Sequence, residues 1–304
     1  MHIAVVGSYG VGMTMYMDRM PAEGETLVGT SFAQGPGGKG SNQAIAARRL
    51  GARVTLCSIV GPDALGAEAR RLWDAEGIGS DGVQTGTEAT MVGFILVDGS
   101  GSNRIVIAPG ALSQLRAEHV QAVAADIETA DVVLVGLEIP VAPAAEALRL
   151  AAAAGVVTVL NPAPATRLAP EVLQAVRHIT PNRTEAAVLT GLDPSTPAEK
   201  LLVALRVLAP SAVIALTLGG EGVLVYDASE RTAIPAVAVA EVVDTAGAGD
   251  AFSAAYAVAI AEGRTPVEAA RFGVIAGAFA VTRREVVPGL ATRAELDAFA
   301  AARP

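Results

Sequence analysis

Short apolar, β-branched runs alternate along this chain with longer stretches whose apolar residues recur at helical spacing. The runs 3–7, 54–60, 132–137, 156–160, 212–218 and 222–226 read as strands. Amphipathic or alanine-rich segments near 40–51, 63–77, 116–129, 142–154, 184–190, 197–208, 250–262 and 265–282 read as helices. This alternation predicts an α/β fold, a mainly parallel sheet covered by helices on both faces. Two regions break the rhythm. Residues 10–35 and 87–108 are short alternating segments punctuated by turn signals such as Asp98-Gly99 and Gly101-Ser102-Asn103. They predict a small second sheet near the N-terminal edge, inserted in one domain that spans 1–304. Such a sheet suits a lid or an oligomer contact, or a plain solvent-facing flap.

Composition changes the picture at one point. With 52% hydrophobic and 17% charged residues and a mean hydropathy of +0.46, the chain invites a search for a membrane span. The most tempting uncharged run, Leu150–Thr166, is interrupted by Gly155, Asn161, Pro162 and Pro164, and reads as a helix end, a buried strand and a loop. Met1–Gly7 runs straight into a strand without a basic leader, so a cytoplasmic protein is expected. A net charge of −9 argues against a nucleic-acid partner but not against a small phosphate ligand, which backbone dipoles bind locally. The one cysteine, Cys57, excludes an internal disulfide and reads as core.

The densest chemistry lies in Asp244-Thr245-Ala246-Gly247-Ala248-Gly249-Asp250, just before the apolar run Ala251–Ala261. Small residues let a ligand approach the backbone, and the first turn of a helix offers free N–H groups and a positive dipole end to an anion. A carboxylate beside such a cradle can accept a hydroxyl proton while the cradle stabilises a transferring phosphoryl group. The bland alternative is a glycine-rich turn with a capping aspartate.

Three further strings matter. Gly35-Pro36-Gly37-Gly38-Lys39-Gly40-Ser41-Asn42 precedes a helix, so that Lys39 and the Asn42 amide could face one ligand; its spacing is not that of a Walker A loop. In Thr180-Pro181-Asn182-Arg183-Thr184-Glu185, Asn182 and Glu185 stand at i and i+3 at a helix start. They suit a phosphate oxygen and a hydrated divalent cation, or equally a capping pair. Thr217-Leu218-Gly219-Gly220-Glu221-Gly222 forms a glycine-rich loop after a strand, open to a flat ring or a phosphate chain, or a tight hairpin. His2, His119 and His178 have no metal or dyad spacing and read as structural, and Met13, Met15, Met17 and Met20 read as ordinary packing.

These strings, in this order, resemble the ribokinase-like (PfkB-type) carbohydrate kinase family over residues 3–303. Gly24-Glu25-Thr26, Gly61-Pro62-Asp63 with Gly66, and Asn161-Pro162-Ala163-Pro164-Ala165 add to the resemblance. It implies a ribokinase-like fold with a β-sheet lid and an ATP-dependent kinase acting on a primary alcohol of a small sugar or polyol. By resemblance, Asp250 is the general base, and the backbone of Ala246, Gly247, Ala248 and Gly249 is the anion hole. Asn182 and Glu185 organise the Mg²⁺–phosphate region, and Thr217, Gly219, Gly220, Gly222 and Gly249 line the nucleotide. Gly38, Lys39, Asn42 and Glu138 face the sugar. A monovalent cation, usually K⁺, is implied at Asp244, Ala246, Ala280, Arg283, Glu285 and Gly289, held largely by main-chain oxygens. The lid would close over the sugar and pair with a second copy as a homodimer.

Two departures from the family pattern stand out. An asparagine and an aspartate that grip sugar hydroxyls after the first strand are replaced here by Gly10 and Gly12. Each hydrogen bond to a charged group contributes roughly 1.5–3 kcal/mol, so the distal half of the sugar site looks rebuilt. The cation loop carries Glu285 and Gly289 in place of a small residue and a serine. Ribose remains the best single substrate. The rivals are other sugar or polyol kinases, a nucleoside kinase stacking its base on Tyr9, Tyr16, Phe32 or Phe94, and a catalytically silent sugar- or nucleotide-binding protein.

Overall fold

The computed structural model describes residues 1–227 and 230–303. Among them, the strands are β1 (His2–Val6), β2 (Gly10–Tyr16), β3 (Ser31–Gly37), β4 (Arg53–Val60), β5 (Val83–Thr85), β6 (Val92–Val97), β7 (Asn103–Ala108), β8 (Val132–Gly136), β9 (Val157–Asn161), β10 (His178–Ile179), β11 (Val213–Thr217), β12 (Val223–Asp227) and β13 (Glu230–Ile234). The helices are α1 (Lys39–Arg49), α2 (Ala64–Glu76), α3 (Ala117–Gln121), α4 (Ala124–Glu128), α5 (Val141–Ala153), α6 (Pro170–Gln174), α7 (Arg183–Thr190), α8 (Ala198–Leu208), α9 (Ala248–Ala261), α10 (Pro266–Ala280), α11 (Val286–Gly289) and α12 (Arg293–Ala301).

Among the described residues, nine strands form one sheet in the order β13-β12-β11-β10-β9-β8-β1-β4-β5. Pairing is parallel from β5 across to β11, and β12 and β13 close the edge antiparallel. The period of two explains why both faces are covered. In β1, Ile3 and Val5 enter a core with α1, α2, α9, α10 and α12, while Ala4 and Val6 enter a second core with α3 to α8. Leu150–Thr166 resolves into the end of α5, then β9 and a loop, and among the described residues no helix is long and apolar enough to cross a membrane.

The two rhythm-breaking regions supply a separate four-stranded sheet, β3-β2-β6-β7. Cross-strand pairs share a face. Gly35, Gly12 and Gly93 stand in one row on one face, and Met15 and Phe32, with Phe94 and Val106, lie on the other, exposed. The chain enters this sheet from β1 through Gly7–Tyr9 and leaves it into α1 through Gly38. These two connections cross so closely that a Cβ on Gly40 would lie 2.5 Å from the Gly7 carbonyl carbon. Side chains there would push the small sheet away from its root.

Three details differ from the sequence reading. The expected helix 116–129 is two short helices, because Val123 leaves helical geometry and its N–H bonds back to Val120 at 3.1 Å. Strands β5, β10 and β13 went unread, being short or polar. The short helices α6 and α11 and the longer α12 also lie outside the expected helices, although Thr292 and Glu295 form a capping box at the start of α12.

Candidate active site

Two helices aim their N-termini at one spot. Asn182 caps α7 and Asp63 caps α2, but α9 and α1 begin on Gly247 and Gly38, both with positive φ (78° and 84°) and neither with a side chain of its own to cap the helix. The first-turn N–H groups of α9 have no carbonyl one turn back within the helix. Asp250, in that first turn, is 5% exposed. Between them lies a cleft of about 260 Å³. Lys39, Asn182, Glu185, Thr217, Ala246, Gly247, Gly249 and Asp250 all line it, joined by Asn161, Ala163, Thr180, Thr245, Phe252 and Ser253. A separate hollow of about 170 Å³, lined by Tyr9, Gln34 and Glu68 among others, shares none of these residues.

Electrostatics within the cleft is a balance of one cation against three carboxylates. Burial pushes the Asp250 carboxyl above its usual range, against the pull of Lys39 and of the hydrogen bonds from Asn42 and Gln43. Burial alone would lower the Lys39 ammonium, but Asp250, Glu138 and Glu185 around it together hold it above its ordinary value. Glu185 is also raised, chiefly by burial. A carboxylate with a raised proton affinity beside a permanent cation is suited to accept a proton near neutrality.

The hydrogen bonds assign each group its place. Asn42 Nδ2 donates to Asp250 Oδ2 at 2.8 Å. Glu138 Oε2 accepts the Lys39 N–H at 2.9 Å and the Ser8 hydroxyl at 2.5 Å, so Glu138 satisfies the start of α1 from across the molecule. Asn182 and Glu185 form a full capping box, with Asn182 Nδ2 also donating to Glu185 Oε1 at 2.7 Å. Both oxygens of Glu185 therefore carry a donor and keep a further lone pair, a donor set suited to a cation reached through water.

The second implied cation set is also drawn together. Asp244 Oδ1 accepts the Ala246 N–H at 2.9 Å and its Oδ2 accepts the Glu285 N–H at 3.3 Å. The Ala280 carbonyl lies 3.2 Å from where a Gly289 Cβ would stand and accepts the Arg283 N–H at 3.1 Å. Glu285 itself takes a positive φ of 65°. The Asp244 carboxylate thus ties the Ala246 and Glu285 backbone together, with the Ala280 carbonyl beside Gly289.

Other expected residues lie apart from the cleft lining. Gly219 and Gly220 sit in a short 3₁₀ turn with open space around them. Gly222 has a local requirement: at φ 97°, a Cβ there would fall 2.1 Å from the Ile234 carbonyl of β13. A Cβ on Gly10 would lie 2.3 Å from Met91 Cε and 3.0 Å from the Met91 carbonyl, so methionine fills the space beside that strand. Gly12 opens onto ordinary contacts with Ile95 Cδ1 at 3.8 Å and Gly35 O at 3.9 Å. Tyr9, expected as a stacking surface, is 2% exposed and packs edge-on against Trp73 at 5.2 Å, so it is unavailable to a base. Phe32 and Phe94 lie on the face of the small sheet opposite Gly12. His178 is structural: buried against the Tyr256 hydroxyl at 2.9 Å, its imidazole is pushed down to about 4 by burial. Cys57 is core, its thiol pushed up to about 12 by burial. Gln43, Asn161 and Thr180 were not singled out as site residues, although Gln43 directly follows Asn42 in sequence.

The chain is similar to known proteins over nearly its whole length. A family model described as pfkB family carbohydrate kinase matches residues 2–293. The chain is 36% identical over 296 residues to a ribokinase of Haemophilus influenzae, covering 96% of each protein. Its fold is similar to the crystal structure of a ribokinase from Thermotoga maritima, with TM-score 0.86 and 31% identity over 98% of this chain and 99% of that one. It is also similar to an Arabidopsis thaliana ribokinase complexed with ribose and ATP, with TM-score 0.89 and 27% identity over 98% and 97% of the two chains.

Proposed function

Since the chain belongs to the pfkB family of carbohydrate kinases, we propose that it transfers the γ-phosphoryl group of ATP to a primary hydroxyl of a pentose or related small sugar. Ribose is the best single candidate, supported by ribokinase relatives and by the relative bound to ribose and ATP. The observation that carries the reading is Asp250, buried at the uncapped start of α9 with its carboxylate fixed by Asn42.

The chemistry then follows from these residues. As the sugar oxygen bonds to phosphorus, its proton passes to Asp250, and the bond to the β-phosphate oxygen breaks with its electron pair on the departing ADP. First-turn N–H groups of Gly247 to Gly249 take the charge on the equatorial oxygens, and Lys39 offsets the three carboxylates around it. Asn182 and Glu185 would hold hydrated Mg²⁺, whose charge offsets that of the phosphates. Asp244, Ala246, Ala280, Arg283, Glu285 and Gly289 would hold a monovalent cation such as K⁺ beside the anion hole. Thr217 and the Gly219–Gly222 loop would border the nucleotide. The small sheet would act as a lid that excludes water, the competing acceptor. Its exposed face of Met15, Phe32, Phe94 and Val106 would pair with a second copy in a cytoplasmic homodimer.

The nature of the acceptor is read directly from the product. In a proton-coupled ³¹P spectrum, a phosphate ester on a CH₂ carbon appears as a triplet. A doublet, from a CH carbon, would contradict a primary hydroxyl.

Gly12 offers a second check. The strand has ordinary φ there and space for a side chain. Gly12→Asp is expected to fold and to lower KM for ribose about 10- to 100-fold, the equivalent of roughly 1.5–3 kcal/mol for a hydrogen bond to a charged group. Gly10→Asn should not help alone, because Met91 occupies its space. An unchanged KM in Gly12→Asp would mean that ribose does not lie over β2.

A further inference from the structure

Asp250 stands at the end of a chain of side-chain amides whose direction a backbone carbonyl sets. The Thr180 carbonyl can only accept, and Asn161 Nδ2 donates to it at 3.1 Å. That turns Asn161 Oδ1 toward Gln43, whose Nε2 donates to it at 2.9 Å and to Asp250 Oδ1 at 3.1 Å. Rotating the Gln43 amide would set its oxygen against two acceptors, so the arrangement has one sense. Gln43 is fully buried, 0% exposed, and its own Oε1 finds no partner.

An unpaired buried carbonyl costs roughly 1–3 kcal/mol, which an apolar side chain of the same shape would avoid. Packing alone does not account for a glutamine here; its N–H group does. We infer that Gln43 is a positioning residue: with Asn42 on Oδ2 and Gln43 on Oδ1, adjacent residues of α1 grip the Asp250 carboxylate from both oxygens and fix its rotation. Each oxygen keeps a lone pair, so the grip favours the charged form of the carboxylate without consuming its capacity to accept a proton. Asn161, from the Asn161-Pro162-Ala163-Pro164 string, anchors the grip to β9, and Thr180 anchors it to the segment after β10.

The inference rests on Asp250 as the base, and its test separates the two ideas. Gln43→Met keeps the volume and removes the donor. Lys39 from α1, Glu138 after β8 and Glu185 from α7 still face Asp250 in the variant, so what changes is the Gln43 contact. A ¹³C-carboxyl NMR titration, with Asp250 assigned through Asp250→Asn, should show the Asp250 midpoint moving up, because a donor to the charged form is lost. The kcat for the sugar the parent turns over should fall about tenfold or more through misplacement of the base. Its acid limb should move to higher pH, with KM for ATP little changed. Asn161→Leu should move both readouts in the same direction by less, and Gln43→Met/Asn161→Leu should be no worse than Gln43→Met alone. Asn161→Leu carries the test if Gln43→Met does not fold. An unmoved Asp250 midpoint, or a kcat within about threefold of the parent, overturns the inference. Full activity in Asp250→Asn would instead overturn the base assignment, while the NMR titration still reads whether Gln43 holds the carboxylate.

Discussion

Asp250→Asn is expected to lower kcat for sugar phosphorylation about 10²- to 10⁴-fold, with the protein still folded and KM for ATP little changed. Asparagine preserves the size of the buried side chain but cannot take the hydroxyl proton. Its carbonyl can satisfy only one of the donors Asn42 Nδ2 and Gln43 Nε2. Removing a desolvated charge offsets that loss. The same variant reports the burial. Burial raises the Asp250 carboxyl in the folded protein, so the folded state holds this proton more tightly than the unfolded chain. The stability the group contributes is fully present below the ordinary aspartate range and is lost as pH rises to the raised value. Asparagine has no such dependence. The Tm of Asp250→Asn relative to the parent should therefore climb across that window and level off above it. A Tm difference that ignores pH would contradict a desolvated carboxylate.

Gly247→Ala should lower kcat by a further distinct route, about 10²- to 10³-fold, the cost of losing one preorganised donor to a developing anion. Gly247 holds φ 78° at the start of α9, and a Cβ there would lie 2.5 Å from Val286 Cγ1. Left-handed backbone costs a non-glycine residue roughly 1–2 kcal/mol. Relief of both strains requires the turn to rotate, and the first-turn N–H groups rotate with it. Gly263→Ala is the control: φ is 80° there, with open space around it, just beyond the far end of α9. It should lose only the roughly 1–2 kcal/mol of the left-handed backbone and keep its kcat. Equal activity in both variants would mean that the Gly247 backbone does not stabilise the transferring group.

What could be read from the sequence was what is local. The β1, β4, β8, β9 and β11 strands announce themselves because each is mostly apolar and largely buried on both faces, and β12 because it is mostly apolar with one face buried. The two-residue β10 and the polar edge strand β13 carry no such signal. Lys39, Asn42, Asn182, Glu185 and Asp250 each sit in a glycine-rich or capping string, and the fold brings those strings together. The long-range partners were silent. Gln43 meets Asn161 across 118 positions and Asp250 across 207, and a glutamine inside an alanine-rich helix looks like any helical polar residue. As a sequence position Tyr9 offers a ring for stacking, whereas Trp73 from α2 covers it. Met91 filling the space at Gly10 is likewise a contact between distant segments. Glycine at 10 and 12 departs from the family pattern, and the sequence alone does not indicate what stands beside those positions.

The most direct measurement is ADP release with Mg-ATP against ribose, other pentoses, ketohexoses, polyols and nucleosides, each with and without K⁺, the parent beside Asp250→Asn. The account predicts sugar-dependent turnover by the parent that Asp250→Asn abolishes. Tight binding of ATP and a sugar without turnover of any acceptor, or turnover that survives in Asp250→Asn, would contradict it.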